Sequence, residues 1–255
     1  MIVVEGLTKT FTRGRRGWRA KPDRVDAVRD LSFIAPDGAI TALLGPNGAG
    51  KTTTLRILAT LVRADAGHAR VGAHDVERNP LDVRADIGVL SDARGLYTRL
   101  TARENIRYFG ALRGTPPARL EQRIRELARL LEFEHLLDER TEGFSTGERL
   151  KVALARTLVH DPHHVILDEP TNGLDVLSTR ALRRMLMRLR DAGKCIVFSS
   201  HIMQEVDLLC DRVVIVAHGR HVAHGDVPSL LAQTGASTLE DAFVALAFTS
   251  QRQGA

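Results

Sequence analysis

The sequence predicts an α/β fold built on a parallel sheet, with an all-helical lobe inserted into it. Three observations carry the prediction. Short apolar runs at residues 2–5, 40–44, 87–90, 164–168, 195–199 and 213–217 have strand length, and several are followed by patterns of helical period. Between residues 98 and 162 the strand-like runs stop and helical patterns succeed one another. The longest uninterrupted apolar run, residues 242–248 (AFVALAF), falls well short of the roughly 18 residues needed to span a bilayer.

The elements can be justified in order. The first strand opens MIVVEGLTKTF, where Glu5 and the lack of a basic flank before the apolar start argue against a signal peptide. The expectation is a soluble, cytoplasmic chain. Its 255 residues, 44% hydrophobic and 26% charged, suffice for one large core or two lobes and do not read as disordered. The net charge of +5 concentrates in TRGRRGWRAKPDR, which holds Arg13, Arg15, Arg16, Arg19, Lys21 and Arg24. This glycine-punctuated stretch reads either as a solvated loop or as a contact for anionic lipid head groups or a partner, with Trp18 as an interfacial anchor. No nucleic-acid partner is expected from a charge gathered in one loop. In the helical stretch, Thr101 and Glu104 have capping-box spacing, with Ile106, Phe109 and Leu112 on one face. Pro116 and Pro117 break the chain before Leu120, Ile124, Leu127 and Leu131 mark a second helix, and a third begins at Ser145. Cys195 and Cys210 stand in no C-x-x-C spacing and read as reduced core residues. No internal repeat is visible.

Chemistry enters at residues 45–52. GPNGAGKT fits G-x-x-x-x-G-K-[ST], with the strand-like ITALL before it and the helical pattern TTLRILATL after it. A chance match in a chain of this length occurs about one time in a hundred on average residue usage. Glycines let backbone N–H groups turn inward around phosphate oxygens, and the helix adds its positive N-terminal end. Lys51 reaches the terminal phosphates and Thr52 offers a hydroxyl to Mg²⁺. Gly45, Pro46, Asn47, Gly48, Ala49, Gly50, Lys51, Thr52 and Thr53 are the candidate nucleotide contacts, with Mg²⁺ as the accompanying ion.

VILDEP, residues 165–170, ends a buried-type strand in two adjacent carboxylates. Two like charges about 4 Å apart at an effective dielectric near 20 repel by roughly 4 kcal/mol, so the pair needs a partner. Asp168 would hold the Mg²⁺, directly or through water, while Glu169 faces the γ-phosphate and polarises the attacking water. In GFSTGERLKVALARTL, residues 143–158, Ser145 and Glu148 have capping-box spacing and Leu150, Leu154 and Leu158 continue at helical period. A helix opened by Ser-Thr-Gly is a weak anion-site signal when taken alone.

Taken together, GPNGAGKT, FSTGE, VILDEP with NGLD, and SSH at residues 199–201, in this order, resemble the ATP-binding cassette of ABC transporters. The likeness covers residues 1–248. It implies a RecA-like P-loop NTPase core with an N-terminal antiparallel β part and an inserted helical subdomain. The expected division is an α/β core at 1–97 and 163–224, a helical signature subdomain at 98–162 and a short C-terminal tail at 225–255. FSTGE stands at the family's signature loop, so Ser145, Gly147 and Glu148 would meet the γ-phosphate held by the other cassette of a homo- or heterodimer. The resemblance also implies that Asp175 crosses that interface, that His201 is the switch histidine donating to the γ-phosphate, and that Phe11 stacks on adenine. Lys51, Glu169 and His201 are then the catalytic set, and a transmembrane permease is the partner, with the subunit peripheral on the inner face of the cell membrane.

The sequence departs from the family pattern in places. Thr146 and Glu148 replace the commoner Gly and Gln, a mild change that resembles the export branch. At residues 87–105, IGVLSDARGLYTRLTAREN, the usual Gln appears as Asp92. With GLY, RLT and REN after it, this resembles the sodium-efflux type of cassette, which suggests sodium ion as cargo ahead of drugs or lipids. Asp92 would bind Mg²⁺ through water or turn away to pair with Arg94 or Arg99. A cassette ATPase of DNA repair or translation is the competing class, but no tandem cassette or long coiled-coil insertion is present. An inactive regulatory cassette fits poorly with Lys51, Asp168, Glu169 and His201 all in place. His218, His221 and His224 suggest a metal, but on a hairpin His221 and His224 point to opposite faces, so no cluster is expected.

Overall fold

Strands β3 (Ala39–Leu44), β7 (His164–Asp168) and β8 (Cys195–Ser200) are buried along their whole lengths, as continuous apolar runs covered on both faces must be. In this computed structural model, which describes residues 1–13, 23–91 and 95–252, they form the middle of a six-stranded sheet. The sheet also contains β6 (Ile87–Leu90), β9 (Arg212–Ala217) and β10 (Arg220–Gly225), in the order β10-β9-β3-β8-β7-β6. All neighbours run parallel except β10, which folds back on β9.

A second sheet is antiparallel, in the order β2-β1-β4-β5. It comprises β1 (Ile2–Arg13), β2 (Asp23–Ala35), β4 (Ala66–Val71) and the two-residue β5 (His74–Asp75). The strand read at 2–5 is therefore the start of a longer one. The sequence reading passed over β2, β4 and β5 because their half-exposed faces carry Arg, Asp and His between the apolar residues. The two faces of the parallel sheet bury different layers. Leu43, Ile166, Val197 and Val214 pack with Ile2, Val4 and Leu7 of the antiparallel sheet and with α1 (Lys51–Leu58). Ile40, Ala42, Leu44, Val165 and Leu167 face the helices on the other side.

After the short α2 (Pro80–Asp86), three helices lie between β6 and β7: α3 (Ala102–Leu112), α4 (Pro117–Leu130) and α5 (Thr146–Leu158). Thr101 caps α3 with both bonds of the capping box, Glu104 N–H to Thr101 Oγ1 at 3.1 Å and Thr101 N–H to Glu104 Oε2 at 2.8 Å. The expected apolar face of α3 needs correction. Ile106 is buried, but Leu112 is 64% exposed, and Ala102, Asn105 and Gly110 complete the buried face instead. Phe109 is half-buried beneath Arg156, whose guanidinium carbon lies 4.5 Å from the ring centroid. Helix α6 (Val176–Asp191) and α7 (Met203–Leu209) flank β8. The stretch after residue 224 carries two helices, α8 (Val227–Thr234) and α9 (Leu239–Arg252), with α9 packed on β9 and β10. Among the described residues no helix is long and apolar enough to cross a membrane.

His221 and His224 also need correction. They share a face of β10, with His224 Nδ1 3.1 Å from His221 Nε2. The ladder pairs His221 with Val216 but Ala223 with Ile215, so Val222 is an extra residue. That bulge resets the alternation on which the opposite-face expectation rested. Both cysteines are unpaired thiols, Cys195 buried and Cys210 at the end of α7. Burial pushes the Cys195 thiol up to about 12 and that of Cys210 higher still.

Candidate functional site

The C-terminal ends of β3, β7 and β8 converge on one cleft. The chain leaves β3 through Gly45, where a Cβ would lie 2.1 Å from the Val216 carbonyl oxygen. It enters α1 through Gly50, at φ 99°, where a Cβ would meet the Ala27 carbonyl oxygen at 2.2 Å. Only glycine fits either position, which is why the loop between them keeps its backbone turned toward the cleft. No side chain caps the first turn of α1, so its positive end is offered to whatever lies above it.

Lys51, 5% exposed, donates to the carbonyls of Gly45 at 2.7 Å and Pro46 at 3.3 Å, and its Nζ lies 3.2 Å from Glu169 Oε1. The other Glu169 oxygen, Oε2, is 2.8 Å from His201 Nδ1. Glu169 holds this bridging position from a left-handed backbone, φ 46°, a conformation that costs a non-glycine residue about 1–3 kcal/mol. Asp168 is buried, and its Oδ1 accepts from Thr52 Oγ1 at 3.0 Å and from Ser199 Oγ at 2.7 Å. Each carboxylate of the adjacent pair therefore has its own partners.

Ser199 is the residue that sequence reasoning missed. Its hydroxyl donates to Asp168 and accepts the Glu169 N–H at 2.9 Å, tying both carboxylates to β8. The SSH run carries the signal, although the resemblance assigns a role in it to the histidine alone. Phe11, 41% exposed, lines the same open cleft of about 490 Å³ with Val25, Ala27, the loop residues 47–53, Glu169, Asn172 and His201. Lys9 Nζ sits 5.5 Å from the Phe11 ring centroid. Asp92 and the basic stretch 14–22, with Arg15, Arg16, Trp18, Arg19 and Lys21, lie outside the described residues, as does Arg94.

Ser145, Gly147, Glu148 and Asp175 do not line this cleft. They form a second cluster. Ser145 caps α5, its N–H donating to Glu148 Oε2 at 2.8 Å and its Oγ accepting from Glu148 N at 3.3 Å. The Ser145 N–H, and after it the Ser145 hydroxyl, holds the Glu148 carboxyl below its ordinary range. Asp175 caps α6 by accepting from Ser178 N at 2.9 Å and Ser178 Oγ at 2.8 Å, and the backbone bond is the larger cause of its lowered pKa. A Cβ on Gly147 would meet Ser178 Oγ at 2.7 Å, so the two helix starts are pressed together. Beside them Val176 and Leu177 are 69% and 76% exposed.

The two clusters are chemically incomplete in complementary ways. The cleft has a cation, carboxylates and a phosphate-type loop. The second cluster has two capped helix starts and an apolar rim, and its residues are not among those that line the cleft. Residues 28–172 match the profile of the ABC transporter family. The chain is 41% identical over 222 residues to the ABC transporter ATP-binding protein NatA of Bacillus subtilis, covering 87% of this chain and 90% of that one. It is 37% identical to a daunorubicin/doxorubicin resistance ATP-binding protein of Streptomyces peucetius, covering 93% and 69% of the two chains. Against the solved structure of an ATP-binding subunit of an ABC transporter the TM-score is 0.83 at 28% identity, with 96% and 98% covered. A dimeric bacterial ABC transporter cassette shares the fold, with a TM-score of 0.77 at 22% identity over 89% and 99% of the chains.

Proposed function

The chain belongs to the ABC transporter family as an ATP-binding, ATP-hydrolysing subunit, and from that premise we propose that two such cassettes close around two MgATP to drive a separate membrane permease in export. The single observation that carries the proposal is the separation of the two clusters. A loop that reads as a γ-phosphate contact, Ser145 with Gly147 and Glu148, lies away from the cleft of its own chain. Two copies arranged head to tail would bring each cluster to the other's cleft. The exposed Val176 and Leu177 beside Asp175 supply apolar surface for such an interface.

Within each cleft the residues divide the work. Lys51 and the residues 45–53 hold the phosphates, and Phe11 offers a face to the adenine. Glu169 sits where it can take a proton from an attacking water, and His201, bonded to it, is placed to donate to the γ-phosphate. Thr52 and Asp168 suit Mg²⁺: both are hard oxygen donors, and their oxygens are 3.0 Å apart, close to the spacing of about 3 Å between adjacent oxygens of an octahedron at roughly 2.1 Å. Bound there, the ion would neutralise charge developing on the phosphates. Ser199 keeps Asp168 and Glu169 in place.

Residues 98–162 are the unit we assign to permease contact, on the outward faces of Tyr108, 45% exposed, and of Leu112, with Tyr97, 50% exposed, just before the unit. Such a subunit works peripherally on the inner face of the cell membrane, where the positive charge of the sequence 13–24 would suit anionic lipid. Sodium ion is the cargo we favour, on the likeness of Asp92, GLY, RLT and REN to the sodium-efflux type. Drug export is the second reading, favoured by the named resistance of the Streptomyces peucetius relative. One experiment tests the core of the proposal. Ser145→Arg and Lys51→Ala proteins are each expected to be inactive alone and to recover part of the ATPase activity on mixing, because one intact composite site forms. Heterodimers without recovery would refute it. Stimulation of the permease-bound complex by Na⁺, and not by doxorubicin, separates the two cargoes.

A further inference from the structure

The same three strands that carry the nucleotide cleft at their C-terminal ends carry another cluster at their N-terminal ends. In the ladder His164 pairs with Cys195, and Cys195 pairs with Ala39, two residues after Asp37. Parallel strands in register point paired residues to one side, so the side chains meet. One donor atom from each of Asp37, His164 and Cys195 lies within 4.8 Å of the others. His164 is 2% exposed and Cys195 fully buried, at a layer whose other buried members are aliphatic residues and Phe33. The imidazole has Asp86 Oδ2 at 2.8 Å from Nδ1, and a Cβ on Gly72 would press on its Cε1 at 3.2 Å.

That arrangement is costly as ordinary core. Asp86, 2.8 Å from Nδ1 though out of line for a hydrogen bond, favours the proton on that nitrogen and the lone pair on Nε2. Nε2 then faces Asp37 Oδ1 at 3.9 Å, acceptor against acceptor, with the Cys195 sulfur alongside. The groups that offset this are a cation and donors from outside: the Met1 nitrogen, 3.2 Å from Nε2 and hydrogen-bonded to Asp37, and the His163 ring, whose Nε2 is 3.0 Å from Asp37 Oδ1. The site draws positive charge to itself.

We propose that Asp37, His164 and Cys195 bind one divalent cation of the zinc class, which staples the 36–38 turn to the starts of β7 and β8. The donor set is one sulfur, one imidazole nitrogen and one carboxylate oxygen. Zinc and cobalt accept that mixture in tetrahedral sites, whereas magnesium and calcium take oxygens alone. Asp86, 2.8 Å from Nδ1, stands where such ligating histidines usually carry a carboxylate. Asp37, half exposed in a turn, is the ligand that closes the last ångström, giving up its contacts with Met1 and His163. On binding, the Cys195 S–H bond breaks, sulfur bonds to the metal and the proton leaves to solvent. The metal displaces the Met1 ammonium from His164 Nε2 and Asp37 Oδ1, and water completes the tetrahedron.

The test is titration with Co²⁺ of reduced, chelator-treated protein without nucleotide. One equivalent is expected to raise a thiolate-to-cobalt charge-transfer band together with tetrahedral d–d bands, and Zn²⁺ is expected to remove both. Cys195→Ser abolishes the charge-transfer band while Cys210→Ser keeps it, and a His221→Ala, His224→Ala double variant keeps all the bands. Asp37→Asn, on the exposed turn, weakens binding by about tenfold or more, on the scale of lost metal-site partners, and carries the test if Cys195→Ser does not fold. Absence of the band in wild-type protein, its survival in folded Cys195→Ser, or wild-type affinity in Asp37→Asn overturns the proposal.

Discussion

Replacing Glu169 by Gln separates the structural from the chemical work of this carboxylate. Its Oε1 lies 3.2 Å from the ammonium of Lys51, a group only 5% exposed. At that distance and an effective dielectric near 20, the attraction is about 5 kcal/mol, much of it offset by desolvation. The amide oxygen of Gln still accepts from Lys51, and Gly45 and Pro46 still hold it. The expected loss is therefore about 2 kcal/mol, between the ~1 kcal/mol of a neutral hydrogen bond and the 3–5 kcal/mol of a severed buried pair. In a chain of this size each kcal/mol moves Tm by about 2–4 °C, so nucleotide-free Glu169→Gln should melt about 4–8 °C lower. With MgATP the order reverses, because phosphate charge replaces the lost partner of Lys51 and one negative charge has left the cleft. Hydrolysis should fall by about 10²–10⁴ if Glu169 is the general base. Melting curves with and without MgATP and single-turnover phosphate release measure all three effects. Turnover within a few-fold of wild type refutes the base, and an unchanged nucleotide-free Tm refutes the worth of the Lys51 pair.

Gly147→Ala places a methyl 2.7 Å from Ser178 Oγ and must loosen the Ser178–Asp175 bond, so ATPase activity should drop sharply while the nucleotide affinity of the single cassette stays at the wild-type value, as read by equilibrium dialysis. Glu148→Ala removes a capping-box partner and should cost about 1 kcal/mol at neutral pH. Because the folded pKa of Glu148 is lowered, that contribution is fully present above the ordinary glutamate range and is lost as pH falls through the folded value, so urea midpoints of the two proteins should converge in acid. Phe133→Ala, at a fully buried position among the inserted helices, should cost about 3–5 kcal/mol by denaturant unfolding.

What was legible in the sequence follows from which physical constraints leave a local trace. The phosphate loop was legible because two of its glycines are forced by close carbonyl approach, and that demand is written at fixed spacing. The central strands were legible because burial on both faces removes polar residues from the run. The antiparallel sheet was only partly visible, since a strand with one wet face reads much like a loop when Asp and Arg alternate in it, as in β2. The meeting of His221 and His224 could not be read, because the bulge that causes it is a property of the pairing between strands. For the same reason the contact of Gly147 with Ser178 was hidden, joining helix starts 31 residues apart in sequence.

Register is what links the two ends of the parallel sheet. His164↔Cys195 and Asp168↔Ser199 are pairs of one β7–β8 ladder, four residues apart on each strand, or about 13 Å at the usual rise. A slip of one residue would turn every side chain of β7 to the opposite face. Asp168 would then leave Thr52, and the Ser199 hydroxyl could no longer donate to Asp168 at 2.7 Å while accepting from Glu169 N–H at 2.9 Å. The apolar runs of β7 and β8 resist slippage only weakly by pattern, because a strand buried on both faces presents apolar residues in either register. The polar pairs at the two ends are therefore what distinguish one register from the next. At the C-terminal end the discriminator is the Asp168–Ser199 bond, and at the N-terminal end it is His164 with Cys195 and Asp37. A cation held among those three would pin the register at the end remote from ATP, leaving the carboxylates at the other end free to exchange their partners for phosphate and water.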